Sequence, residues 1–568
     1  MSLKGKNTES GNDSIADEIV PGTIHLLDLQ GILDVQKDPY SKHNIILIPQ
    51  PSSNPNDPLR WSLAKKKCQF AFLWLWAFLM AVTVAWYGPA FTPWVEQLGV
   101  TYGDLSNTTA VCFLFLGLGC LFLQPTALKL GRRFVYLLCT VLAIVGNICG
   151  SQAKSIALLY VFNLICGFSA APVDSLVEIS TTDVFFQHER ARYLSFFIFA
   201  LYAGSDLGPV AAGYIIDNMS WKWGFYFQII FFVILLVAQV FFMEDTTFSR
   251  SEDNGQKLEE EILHQIKSHA TIMSSSPNEE VPSGLDGKVN ATVSEGIIAA
   301  DNISLDSSIP KRTYWQRMRL FEREYNDPRS WLTIWYRPFF LISFPAIIWG
   351  GLVYGSQMMW LSLIHTTSSE LYSGAPYHMS TDEVGLTNLS AFVGSVFGVL
   401  YGATFVDWLT IRLSERNNGI LEPEFRLWSM VIPTILNAAG LLAYGLGPSY
   451  GAHWFVSVGI GLCLMGFAMG ATGGICLTYV VDSYPKVASE GLVLMLFLRN
   501  MIGMGFTFAI QPWLARDGVK LTTWLMFMLS LVINGSFVLL IKWGKDCRRW
   551  TKERYYKYSD PMFGELFK

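Results

Sequence analysis

Apolar residues in this chain come in long unbroken blocks. From residue 68 they cover 68–90, 108–127, 134–153, 155–182, 194–216 and 223–243. After a polar stretch they resume over 338–363, 384–409, 430–447, 454–481, 491–514 and 521–543. Each is near or above the roughly 20 residues an α-helix needs to cross a bilayer's hydrocarbon core. The pattern predicts an all-α membrane protein with twelve transmembrane helices in two six-helix, pseudo-symmetric halves. Secondary transporters built from repeated units have this layout. Several blocks exceed the bilayer thickness, so tilt or emergence into water is expected.

Domain organisation follows from the same pattern. Residues 1–67 are expected to form a mostly disordered tail, 68–243 and 338–543 the two helix bundles, 244–337 a polar central loop, and 544–568 a second tail. The first sixty residues are polar, so the first helix is expected to serve as its own insertion signal. The middle of the loop, SSSPNEEVPSGLDG, has the composition of disorder. Near the loop's end, TYWQRMRLFEREY mixes aromatic and aliphatic residues with Arg. It reads equally as an amphipathic helix on the inner leaflet or as a solvated one.

Basic residues orient the chain. Lys129, Arg132 and Arg133, then Arg190 and Arg192, then Arg412, Arg416 and Arg426, and finally Lys486 all fall on one side. The other side has Lys154, Lys222, Arg516 and Lys520. Both termini are therefore expected in the cytosol. Asn107-Thr108-Thr109 would lie outside as a glycosylation sequon close to the second helix.

Composition narrows the function. The chain is 51% hydrophobic and 15% charged, where a soluble protein has about 25% charged residues. A net charge of -5 gives no reason to expect a nucleic-acid partner. The nine Cys are scattered without a CxxC pair, and no His cluster suggests a metal. No P-loop or nucleophile elbow is present, which argues against an enzyme and against ATP-driven transport. No cofactor is expected.

Charges inside the apolar blocks are the candidate chemistry, because each is costly in hydrocarbon. Asp174 and Glu178 are four residues apart and share a face of the fourth helix. Asp206 lies mid-way along the fifth. These three acids form either a negative surface for a cationic substrate and protons, or, for Asp174 and Glu178, pairs with Arg or Lys from nearby loops. An acid that carries a coupling proton is helped by burial, which favours its neutral form. Arg499 lies about 13 Å into the eleventh helix. It either pairs with a membrane acid or binds an anionic group, and pairing would lower the charge of the site. Trp86, Tyr87, Trp349, Tyr354 and Trp360 offer cation–π contacts or simply pack. Gln357 is a candidate hydrogen-bond partner for an amine. Asp183 and Asp482 end the fourth and tenth helices, near Arg132, Arg133, Arg412 and Arg416. Pairing there would hold an inner gate closed; the alternative is a solvated helix end.

The fifth block contains GSDLGPVAAG. Its Gly204, Gly208, Pro209 and Gly213 match the GxxxGPxxxG core of the antiporter motif. Small residues at this spacing let helices approach closely, and Pro209 removes a backbone donor. With PQPSSNPNDPLRW, GRR at 131–133, DVFFQHER, NNGILEPEFRLW and DSYPKVASEG, the chain resembles the major facilitator superfamily. The branch is the fungal 12-span drug:proton antiporter-like one. Within it the linker motifs look closest to yeast plasma-membrane carriers of polyamines, histidinol and other cations. The resemblance implies a monomeric, proton-coupled plasma-membrane transporter of small organic cations working by alternating access. A multidrug efflux antiporter is the alternative, and a transporter-like nutrient sensor the alternative of another class. Two departures stand out. Leu128 and Gln124 replace the Asp and first Gly of the motif after the second helix, and Asn163 stands where proton antiporters often carry Arg.

Overall fold

The computed structural model describes residues 21–22, 24–25, 54–248, 310–321, 329–417 and 420–559. Most of the first tail and the middle of the central loop, where the sequence predicts disorder, lie outside the described residues. The membrane helices of the first group are α1 (Leu63–Ala85), α2 (Tyr102–Leu130), α3 (Arg132–Ser151), α4 (Ile156–Val184), α5 (Gln187–Asn218) and α6 (Trp221–Phe242). The second group opens with α7 (Pro345–Ser373), α8 (Thr381–Arg416), α9 (Pro423–Ser449) and α10 (Val456–Ser483). A continuous stretch Ala488–Gly535 then holds two crossings, because Gly518 leaves helical geometry at φ 71°. Its left-handed conformation costs glycine little. We call the part before Gly518 α11. The part after it is α12, which Phe537–Ser559 continues. The eleven long apolar stretches of the described residues thus make twelve crossings.

Polar residues fix the helix ends. Thr101 and Asp104 form a capping box at the start of α2, and Ser380 and Glu383 do so for α8. Each satisfies backbone donors that the first turn leaves open. The outer faces are apolar: Ile234, Val237 and Phe242 on α6 are more than half exposed. An exposed apolar belt of this kind is what a bilayer covers.

The two groups meet along α2 with α11 and along α5 with α8. A close backbone approach joins Gly213 to Gly385. A Cβ on Gly385 would lie 2.6 Å from the Pro209 carbonyl oxygen, and one on Gly213 would lie 3.0 Å from that of Thr381. Each group also has an internal polar tie. In the first, the Trp76 indole donates to Thr140 (3.0 Å), whose hydroxyl donates to Gln239 (2.9 Å). In the second, Gln357 donates to Asn534 (3.0 Å), and Asn534 and Asn437 both donate to Ser530 (3.2 and 2.8 Å).

Residues 54–62, 244–248 and the end of α12 gather on one side, here called the termini face. A short antiparallel ladder also lies there, pairing β1 (Ile24–His25) with β2 (Ile420–Leu421). The opposite face is sealed between the groups. The Thr92 and Ser369 hydroxyls lie 2.7 Å apart, and Ser106 donates to the Thr507 carbonyl at 3.0 Å.

Candidate functional site

A narrow cleft lies between α4, α5, α7 and α10. Asp174 forms one wall. Phe197, Leu201 and Tyr202 of α5 form a second, and Tyr354 and Gly473 face them. Beyond Asp174, Glu178 and Thr182 on α4 and Leu477 and Val481 on α10 are half-buried up to the helix ends. These half-buried side chains lie on the termini-face side of the cleft.

Arg499 is the cation of this site. It is buried, and its Nη2 donates to the Asp174 carboxylate. Its Nε and Nη2 also donate to the Asn500 side-chain oxygen at 3.3 and 3.2 Å. Its guanidinium carbon stands 4.7 Å from the centre of the Tyr354 ring. Of the two readings of Arg499, the ion pair is the one found, and its partner is Asp174 on the other helix group. A guanidinium this deep cannot reach water, so it takes the carboxylate in range. The Asp174 charge is therefore compensated, as the pairing alternative for this acid and for Arg499 implied. Glu178 sits one turn nearer the termini face and is half-buried.

Asp206 lies elsewhere, buried between α5 and α8. The Ser395 hydroxyl is 2.9 Å from its carboxylate and 2.9 Å from the Ala391 carbonyl oxygen. A hydroxyl has one proton and can give it to only one of these acceptors. With Asp206 ionised, the Ser395 proton goes to the carboxylate. With Asp206 protonated, the acid donates to Ser395 and the hydroxyl is free to donate to Ala391. The contact holds in both states.

Other expected site residues are placed differently. Gln357 is buried against α12, where Asn534 takes its amide, so it does not face the cleft. Trp86 and Tyr87 are fully buried in an aromatic core with Trp94 and Phe225. Trp360 is buried against Phe506, and Trp349 donates to Ser536 at 2.8 Å. Tyr354 alone of these aromatics lines the cleft. In the glycine motif, Gly204 packs on the Phe78 carbonyl and Gly208 on Val82 of α1, while Pro209 and Gly213 meet α8.

Two of the charge clusters at the termini face hold the expected gating acids, one in each helix group. Arg132 pairs with Asp183. Arg133 does not join them: it donates to the carbonyls of Val240 (2.7 Å), Met318 and Arg319 (3.1 Å). It thereby caps the end of α6, where carbonyls lack helical partners. Asp482 is held by Arg426 at 2.8 Å, and the same guanidinium holds Asp407 at 3.0 Å. Arg412 instead lies over Trp408 of its own helix, 5.8 Å from the ring centre. The expected Arg412–Asp482 pair is therefore corrected to Arg426–Asp482. Arg426 sits between the ends of α8 and α10 and reaches both acids.

Three residues escaped the sequence reading in these roles: Ser395, Tyr202 and Arg426. A lone Ser in an apolar helix carries no distinguishing signal, and Arg426 had counted only toward orientation. The Asn107 sequon lies inside α2 rather than in a loop. Among the described residues, no group of three His, Cys, Asp or Glu is placed to hold a metal ion.

The sequence profile described as Major Facilitator Superfamily matches residues 73–508. An uncharacterized MFS-type transporter of Schizosaccharomyces pombe is 30% identical, over 95% of this chain and 94% of its own. Protein HOL1 of Saccharomyces cerevisiae is 29% identical over 95% of this chain and 97% of its own. A probable efflux pump of Aspergillus flavus is 23% identical over 82% and 99%. Among solved structures, the proton:xylose symporter XylE superposes with TM-score 0.54 at 13% identity, covering 85% of this chain and 96% of the other. That likeness is one of fold.

Proposed function

The chain belongs to the Major Facilitator Superfamily, and from that premise we propose a proton-coupled secondary transporter. It moves small organic cations of polyamine-like chemistry across the plasma membrane by alternating access. The observation that carries this reading is the Asp174–Arg499 pair beside Tyr354. A guanidinium held against a carboxylate and over an aromatic ring stands in for a bound organic cation. An incoming ammonium offers Asp174 the same charge and Tyr354 the same cation–π contact. It takes the place of Arg499 on Asp174, so a tie between the two helix groups becomes a tie to the substrate. Arg499 keeps its hydrogen bonds to Asn500, and the loss of its counter-charge is a cost that substrate binding has to offset. A neutral substrate does not make that exchange, because it leaves a buried carboxylate unpaired.

Asp206 is the proton site of this reading. Its contact with Ser395 spans α5 and α8 and tolerates either protonation state. In this reading the termini are cytosolic, as the basic-residue bias favours, the cleft faces the cytosol and the sealed face is outside. The Arg132–Asp183 and Arg426–Asp482 pairs lie within their own helix groups. In this reading they keep each group rigid at the inner gate while the groups rock.

Uptake of labelled spermidine into vesicles, at varied inside and outside pH, tests the proposal. Saturable flux that follows the proton gradient is expected. The apolar wall of Phe197 and Leu201 favours a second reading, efflux of amphiphilic drugs. Drug export without amine flux would decide for it. Saturable binding with no flux would point instead to a sensor.

A further inference from the structure

We propose that residues 311–321, where the central loop returns to the membrane, form a surface that binds the phosphate headgroups of anionic phospholipids. The segment is held firmly in place. The Tyr314 hydroxyl donates to the carbonyl of Phe241 at 2.7 Å, at the end of α6. Arg133 clamps the Met318 and Arg319 carbonyls together with that of Val240. The Phe321 ring packs on Phe134 at 5.1 Å, and Arg317 pairs with Glu244 at 3.1 Å. These contacts fix the segment where the lipid-facing side of α6 leaves the apolar layer.

The outward side is amphipathic. Trp315 is 80% exposed, and Leu320 and Phe321 are more than 40% exposed, beside the exposed Phe242 of α6. Lys311 and Arg319 are exposed on the same segment, and neither makes an ion pair with a described residue. Glu244, a described acid beside the segment, is already shared by Lys65 and Arg317. Trp beside aliphatic side chains suits the boundary between hydrocarbon and headgroups. Unpaired cations at the same level attract anionic lipids. The occupant is the bilayer itself, because the apolar side chains continue the belt of α6.

Native mass spectrometry of the purified full chain, titrated with phosphatidylserine or phosphatidylcholine, provides the test. Phosphatidylserine should be retained in preference. The double variant Lys311→Gln/Arg319→Gln should weaken that retention roughly tenfold or more, with its melting temperature in detergent unchanged. Raising salt from about 0.1 M to about 1 M should release the lipid from the unmodified chain, since screening shortens the reach of exposed charge. That arm does not depend on how the variant folds. Equal retention of the two lipids, or phosphatidylserine binding indifferent to salt or to the double variant, overturns the proposal.

Discussion

Two carboxylates, half-buried Asp174 and buried Asp206, bridge the helix groups, and they are held in opposite ways. Asp174 on α4 is held by a cation, Arg499 of α11. Asp206 on α5 is held by a hydroxyl, Ser395 of α8. An arginine binds a carboxylate only while the acid is ionised, so protonating Asp174 would strand a buried guanidinium. A serine can donate to the ionised acid and accept from the neutral one. The first contact suits exchange of one cation for another. The second suits a proton that comes and goes without breaking the interface.

Removing the charge from Asp174 should have the largest effect. Asp174→Asn leaves Arg499 buried without its counter-charge, a loss of about 3–5 kcal/mol. Spermidine uptake should disappear. A lowered melting temperature should be partly restored by adding Arg499→Gln, which removes the stranded charge. Uptake should stay absent in that double variant. Unaltered uptake kinetics in Asp174→Asn would remove Asp174 from the site.

Asp206→Asn should be milder in stability and different in kind. The amide can still bond to Ser395, so the expected loss is about 1 kcal/mol. Flux should lose its dependence on the proton gradient while amine exchange across the membrane continues. A pH profile that matches the unmodified chain would reduce Asp206 to a packing residue. Ser395→Ala should be similar in stability and smaller in its effect on coupling. It removes one hydrogen bond worth about 1 kcal/mol and leaves the titrating group present. Its pH profile should therefore shift but survive, and a flattened profile would show that the hydroxyl, rather than the acid, is indispensable.

The contrast between the two acids was only half legible in the sequence. The helices were legible because the bilayer imposes length and apolarity on each crossing. An acid or base within such a block stands out for the same reason, which is how Asp174, Asp206 and Arg499 were found. Partner choice was not legible, since it depends on helix rotation and on contacts between residues hundreds of positions apart. Asp174 and Arg499 are separated by 325 positions. Gln357 shows the same limit from the other side: its polarity in an apolar block was visible, but Asn534 on α12, not the cleft, satisfies it. The resemblance carried by the glycine motif located α5 correctly, yet its residues divide between α1 and α8.

The smallest expected effect on transport separates two arginines, one read from the sequence as a gate residue and the other only as an orientation signal. Arg426 holds Asp482 and Asp407 together, whereas Arg412 rests on Trp408 of its own helix. Arg426→Gln leaves two acids near each other without their shared cation, so the ends of α8, α9 and α10 should loosen. The expected loss is about 1–3 kcal/mol, in the range for charged hydrogen-bonded groups, with a modest fall in transport rate. Arg412→Gln should stay within about 0.5 kcal/mol of the unmodified chain, as most surface substitutions do. Melting temperatures and uptake rates of the two variants measure the difference directly. Equal effects would mean that the inner-gate cluster of the second helix group draws on both arginines. The tight Arg426 geometry would then describe one state of the transport cycle, with Arg412 taking its place in another.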